Sequence, residues 1–136
     1  MSTIHHEILI DTSPEEAWDA ARDVGALHTR LVPGFVVDTA LAPGAEPTIR
    51  HVTFASGLTL TETIVTCDDR ARRLVWTISG DGVDHHNGAL QVFDAGAGRS
   101  RVVWVADVLP HALADSFSPL MAQGLEVMRG HLEGAA

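Results

Sequence analysis

Glu62 is a lone carboxylate on an otherwise aliphatic face. In Leu58-Thr59-Leu60-Thr61-Glu62-Thr63-Ile64-Val65 the even positions read Leu, Leu, Glu, Ile and the odd ones are mostly threonine, the period of two of a half-buried strand. The carboxylate is therefore predicted to point inward, where a charge is costly unless it is paired, hydrogen-bonded or open to a wet space. That pattern predicts a pocket rather than a dry core. Its partner follows from the turn. With a loop of Ala55, Ser56 and Gly57, Phe54 faces Leu58, Val52 faces Leu60 and Arg50 faces Glu62. A loop one residue shorter would set Phe54 against Thr59 and mismatch every face. Arg50 and Glu62 are thus expected to form a cross-strand ion pair at the pocket wall, either as a structural salt bridge or as a carboxylate base with its orienting cation.

His86 is the second candidate. A histidine titrating near neutrality beside a bound ketone can relay a proton in enolisation, aldol closure or dehydration, with Glu62 or its water as partner; the alternative is a loop-end histidine bonded to backbone or water. Leu74, Trp76 and Ile78 share one strand face, as do His86, Gly88, Leu90 and Val92, and again Val102, Trp104, Ala106 and Val108. Trp76 and Trp104 are suited to stack on a flat ligand, or simply to fill a core. The residues expected to line the pocket are Val52, Phe54, Leu58, Leu60, Trp76, Ile78, Leu90, Trp104, Met121, Leu125 and Met128; Arg50, Glu62 and His86 are the candidate catalytic groups. Adjacent histidines on a strand point to opposite faces, so neither His85-His86 nor His5-His6 is expected to hold a metal. Neither a nucleophile motif nor a phosphate-binding glycine spacing appears, and no cofactor is expected. The sequence has no tyrosine, so any acid must be His, Glu, Asp or water.

These groups need a scaffold, and the pattern supplies one. Ile4, His6, Ile8 and Ile10 alternate as a first strand. Ser13-Pro14-Glu15-Glu16 then opens a helix, with Ser13 as cap, Pro14 at the first helical position and Glu16 completing a capping box; Ala17, Trp18, Ala21 and Val24 form its stripe. A short helical turn is expected near 26–29. Strands are predicted over 35–41, 47–55, 58–67, 72–79, 86–94 and 100–109, separated by turn formers such as Pro43-Gly44 and Gly80-Asp81-Gly82. Cys67 is read as a small apolar filler in its strand. From Phe117 the period changes: Phe117, Leu120, Met121, Gly124, Leu125, Met128 and Leu132 mark one face of a long helix. Pro119 is expected in or near its first turn, because an interior proline costs about 3 kcal/mol. The fold class is α+β, a bent antiparallel sheet of about seven strands closed over the last helix with a cavity between them.

Composition narrows the partners. The 136 residues, 46% hydrophobic, suit one domain spanning 1–136. A formal charge of -9 repels phosphate backbones and anionic membranes, so nucleic acid and membrane insertion are not expected. The start lacks the basic region and long apolar run of a secretory signal, and the single Cys67 cannot form an internal disulfide, which together suggest a cytoplasmic protein. The expected partner is a small apolar or aromatic ligand, with a homodimer left open.

Ser13 to Asp19 with Val24, Leu31 to Gly34, Arg50-His51-Val52-Thr53-Phe54, Gly57-Leu58 leading to Glu62, Asp68-Asp69 through Arg73, Trp104 and the Gly124-Leu125 helix resemble the START-like (SRPBCC) superfamily, in the polyketide cyclase/dehydrase and lipid transport branch. The resemblance covers nearly the whole chain and implies the helix-grip fold. It also implies a pocket that acts on an apolar aromatic or polycyclic ketone by acid/base-assisted cyclisation or dehydration, or else one that carries a lipid, quinone or aromatic metabolite unchanged. Members include enzymes, carriers, receptors and co-chaperones, so the fold does not choose among them. Ser56-Gly57-Leu58 and Asp84-His85-His86 are similar to the gate and latch loops of plant abscisic-acid receptors, but Thr59 replaces the gate proline and the latch arginine is absent.

Overall fold

A computed structural model describes residues 1–134. Strand β1 (Thr3–Ile10) leads into helix α1 (Pro14–Arg22), a 3₁₀ turn (Val24–Ala26) and a π-helical turn (Leu27–Leu31). Strands β2 (Val36–Leu41), β3 (Ile49–Phe54), β4 (Thr59–Asp68), β5 (Arg73–Ser79), β6 (His85–Gly96) and β7 (Arg99–Leu109) follow, and helix α2 (Leu113–Gly134) ends the described chain. All seven strands form one antiparallel sheet in the order β1-β7-β6-β5-β4-β3-β2. The curved sheet grips α2, which is the helix-grip arrangement. No helix among the described residues is long and apolar enough to cross a membrane.

Local chemistry accounts for the elements. Ser13 Oγ accepts the Glu16 amide at 3.1 Å and caps α1. The Glu16 carboxylate does not return to the cap amide as a full capping box requires; it accepts the Thr12 hydroxyl at 2.9 Å instead. Ser100, fully buried, donates to the Thr12 carbonyl at 2.7 Å and so ties the turn before α1 to β7. On α2 the buried residues are Met121, Gly124, Leu125, Met128 and Leu132, the stripe the three- and four-residue spacing predicts. Ser118 on the same helix meets His6 of β1 at 2.8 Å.

Two expectations need correction. Helix α2 starts at Leu113, so Pro119 lies inside it, in the second turn. The amides of Leu113, Ala114 and Asp115 bond to carbonyls three residues back, and the carbonyl left without a partner by Pro119 belongs to the exposed Asp115, where water can replace the lost bond. Cys67 is in its strand but exposed. A bulge between Ile64 and Thr66 shifts the register of β4, and Cys67 lies beyond it near the strand end.

Gly124 sets the closest approach of α2 to the sheet. A Cβ there would come within 3.2 Å of both Phe35 and Trp104, tighter than ordinary packing. Gly124→Val is expected to destabilise the protein by about 2 kcal/mol, read as a lower urea midpoint at unchanged slope.

Candidate functional site

The β3–β4 hairpin has the three-residue loop its pattern requires. Phe54 N–H donates to the Leu58 carbonyl at 2.8 Å, Gly57 takes φ +93°, and Arg50 stands opposite Glu62 and Val52 opposite Leu60. Arg50 Nε donates to Glu62 Oε1 at 2.7 Å, with the two side chains only 3% and 7% exposed. Arg50 Nη1 also donates to the Val24 carbonyl at 3.2 Å, and its guanidinium carbon lies 5.7 Å from the Trp76 ring centroid. A carboxylate, a carbonyl and an indole face therefore surround the one buried cation of the site.

His86 differs from its expected behaviour. Its Nδ1 accepts the Ile78 amide at 3.1 Å, so the neutral ring carries its proton on Nε2. Burial, reinforced by the neighbouring His85, lowers its pKa to about 4 instead of leaving it near neutrality. At neutral pH the ring is uncharged and donates from Nε2. Its ring centroid is 6.0 Å from that of Phe117 on α2, and His85 faces solvent.

These groups meet at two adjoining cavities of about 60 and 50 Å³, counted as space open to the centre of a water molecule. Both are walled by Phe35, Phe54, Trp76 and Trp104, and Glu62 is the one charged side chain they share. Arg50, Leu90 and Met128 line the larger; His86, Leu60, Ile78 and Met121 line the smaller. They have room for about four and about three waters at about 15 Å³ apiece, so a multi-ring ligand must widen them. Trp76 and Trp104 touch each other, centroids 5.7 Å apart and tilted by 54°, instead of standing open as a clamp. The Trp104 indole N–H is buried with no partner among the described residues.

Three of the residues expected to line the pocket lie outside the walls of the two cavities. Leu58 is 40% exposed, because it sits at the hairpin tip beyond the cavities. Val52 and Leu125 are buried in the packed core and are not among the residues lining the two cavities. Phe35 was not anticipated. The predicted strand starts at Phe35, but β2 begins one residue later and leaves Phe35 in the turn before it, where it meets Phe54 edge-on at 5.4 Å. Gly124 and Phe117 also line the space, and a glycine inside an apolar helical stripe is the kind of signal that marks a close approach.

Two outcomes test this geometry. Arg50→Met leaves a buried carboxylate unpaired and is expected to cost about 3 to 5 kcal/mol, whereas Arg50→Met with Glu62→Leu recovers most of it; urea denaturation of the singles and the double measures the coupling. For His86 the folded state prefers the neutral ring, so its stabilising contribution is complete above the unfolded pKa of 6.5 and is lost as pH falls toward 4. The stability advantage of the wild type over His86→Asn is expected to shrink by about 3 kcal/mol across that interval, measured by denaturation at each pH.

The fold is similar to XoxI from Bacillus cereus (TM-score 0.83, 20% identity, covering 100% of this chain and 99% of that one). It is also similar to norcoclaurine synthase from Thalictrum flavum (0.72, 19%, 96% and 90%). A third match is the di-domain ARO/CYC BexL from the BE-7585A biosynthetic pathway (0.80, 17%, 98% and 47%). At these identities the likeness is one of fold. No curated protein sequence matches the chain. Residues 1–134 match the family described as polyketide cyclase / dehydrase and lipid transport, and the chain belongs to that family.

Proposed function

We propose that this protein binds a small, uncharged aromatic or polycyclic ketone between the sheet and α2 and promotes its cyclisation or dehydration. The observation that carries the reading is Glu62, a buried carboxylate shared by two aromatic-walled cavities. Family membership and the fold shared with BexL and norcoclaurine synthase support the same direction. Arg50 and Glu62 cancel in charge and His86 is neutral, so the cavity favours a neutral guest over an ion.

In this scheme Glu62 Oε2 accepts a proton from the carbon next to the ketone, while Oε1 stays bonded to Arg50, which fixes the carboxylate. The electron pair moves to the carbonyl oxygen, and His86 Nε2–H and Trp104 Nε1–H are the donors that can hold the enolate. For dehydration, the β-hydroxyl leaves with the proton that Glu62 returns, giving water and the conjugated ketone. For cyclisation, the enolate carbon attacks a second carbonyl, whose oxygen takes the proton. His86 serves as a neutral donor here, since a ring with so low a pKa is not an imidazolium acid at neutral pH.

A second reading, binding without chemistry, draws on the ion pair itself. Glu62 bonded to Arg50, with His86 Nδ1 occupied by a backbone amide, suits a fixed polar anchor for a lipid, quinone or aromatic metabolite. Incubation with a mixed library of aromatic polyketides, steroids, quinones and fatty acids, with bound and free fractions read by mass spectrometry, separates the two. The enzyme reading expects a dehydrated or cyclised product whose formation drops by about 10²-fold or more in Glu62→Gln. Retention of an unchanged compound, equally tight in Glu62→Gln, would overturn it in favour of a carrier.

A further inference from the structure

The backbone pairing of β5 with β6 runs from Arg73 and Gln91 to Trp76 and Gly88 and stops there. Carried two residues further, the same register would set Ile78 opposite His86. The Ile78 amide does reach across, but it ends on the imidazole Nδ1 at 3.1 Å. A side chain therefore stands where the sheet has parted. Gly88 makes room for it, since a Cβ at that position would come within 3.0 Å of His86 Cε1 and 3.3 Å of Trp76.

Both banks of this gap are held from behind. Ile78 and Ser79 pair with Glu62 and Thr61 of β4, and His85 and Asn87 pair with Leu109 and Asp107 of β7. The Ile78–His86 hydrogen bond is the bond found across the gap itself. The turn beyond it, Gly80–Asp84, closes on itself through Val83 N–H to the Gly80 carbonyl and is tied to β7 through Asp84 N–H to the Leu109 carbonyl, not to β5. Ile78 and His86 also line the smaller cavity, so the gap is part of its wall.

We propose that the gap between β5 and β6 is a side entrance to the cavity and that His86 is the bolt that closes it. The inference rests on the reading that the cavity takes up a small molecule. The bolt holds only while Nδ1 is unprotonated, because a protonated Nδ1 would turn an N–H against the Ile78 N–H. Of the titratable groups around the ring, Glu62 on β4 shares its cavity, and His85 and Asp84 adjoin it in the chain on the solvent side. Packed against it are Val108 on β7 and Phe117, Leu120 and Met121 on α2, none of them ionisable. Acid thus draws the bolt through His86 itself. In the neutral protein the same hydrogen bond must break and reform for a planar ligand to pass edge-on. The roles divide by nitrogen, with Nδ1 closing the wall and Nε2–H facing the guest.

The test needs no ligand. In a Trp18→Phe background the remaining indoles are Trp76 and Trp104, both lining the cavity, and acrylamide quenching of their fluorescence reports access from solvent. The quenching constant is expected to rise several-fold from neutral pH to about pH 4, in step with the His86 ring titration followed by NMR and with the far-UV circular dichroism unchanged. His86→Ala is expected to show the high constant already at neutral pH, with little further change in acid. Should that variant fail to fold, the wild-type titration decides alone. A constant that stays level while His86 protonates overturns the proposal, as does a rise that comes only with loss of the dichroism signal or a folded His86→Ala as shielded as the wild type. Such a failure would leave ligand binding intact by another route, whereas raised quenching with no library compound retained would count against the binding reading alone.

Discussion

Arg50 and Glu62 bring opposite charges out of water on facing strands, and much of the surrounding arrangement answers to the cost of doing so. Removing both from solvent is tolerable because they meet in a short charge-assisted hydrogen bond and because the guanidinium has further partners in the Val24 carbonyl and the Trp76 face. Arg50 is on β3 and its partners lie on β4, β5 and the 3₁₀ turn after α1, so one ion pair joins the helical segment to the sheet. The side of Glu62 away from Arg50 is left to the cavities. A carboxylate that were simply buried would have no reason to remain open to space on that side.

The interior that results has a polarity unlike the surface. Outside, the chain has a formal charge of -9; inside, the cation and anion cancel and the histidine is neutral. Four aromatic side chains wall both cavities, with the Trp104 N–H, which has no partner among the described residues, and the His86 Nε2–H as donors. Such a space accepts an apolar compound bearing a hydrogen-bond acceptor more readily than an ion. It is also narrow. The contact between Trp76 and Trp104 and the narrowness of the two cavities mean that uptake of a ring system is coupled to side-chain movement, and the pairing of β5 with β6 ends beside His86.

His86 shows why residue type underdetermines chemistry. An imidazole in water titrates near neutrality, but this one is desolvated, lies beside His85 and has one nitrogen occupied by a backbone amide. None of those conditions is visible in Asp84-His85-His86 as letters. The amide that binds it comes from another strand, and it is free to do so only because the pairing of β5 with β6 ends at Trp76 and Gly88.

Alternation in the sequence was enough to place Glu62 inward and Arg50 opposite it, because a strand's period of two and a three-residue loop leave one register in which apolar faces agree. It was likewise enough to order the strands and to mark the α2 stripe. What it could not supply was depth. Leu58 has the right parity for the pocket and still lies in solvent at a hairpin tip, Cys67 lies beyond a bulge, and Val52 and Leu125 are inward but fully packed. Phe35 reads as the first residue of a strand and instead stands in the turn before it, where it walls both cavities. Parity is a local property of the backbone, readable from neighbouring residues. Exposure, protonation and access depend on which distant segments arrive alongside, and only the curved sheet closing on α2 decides those.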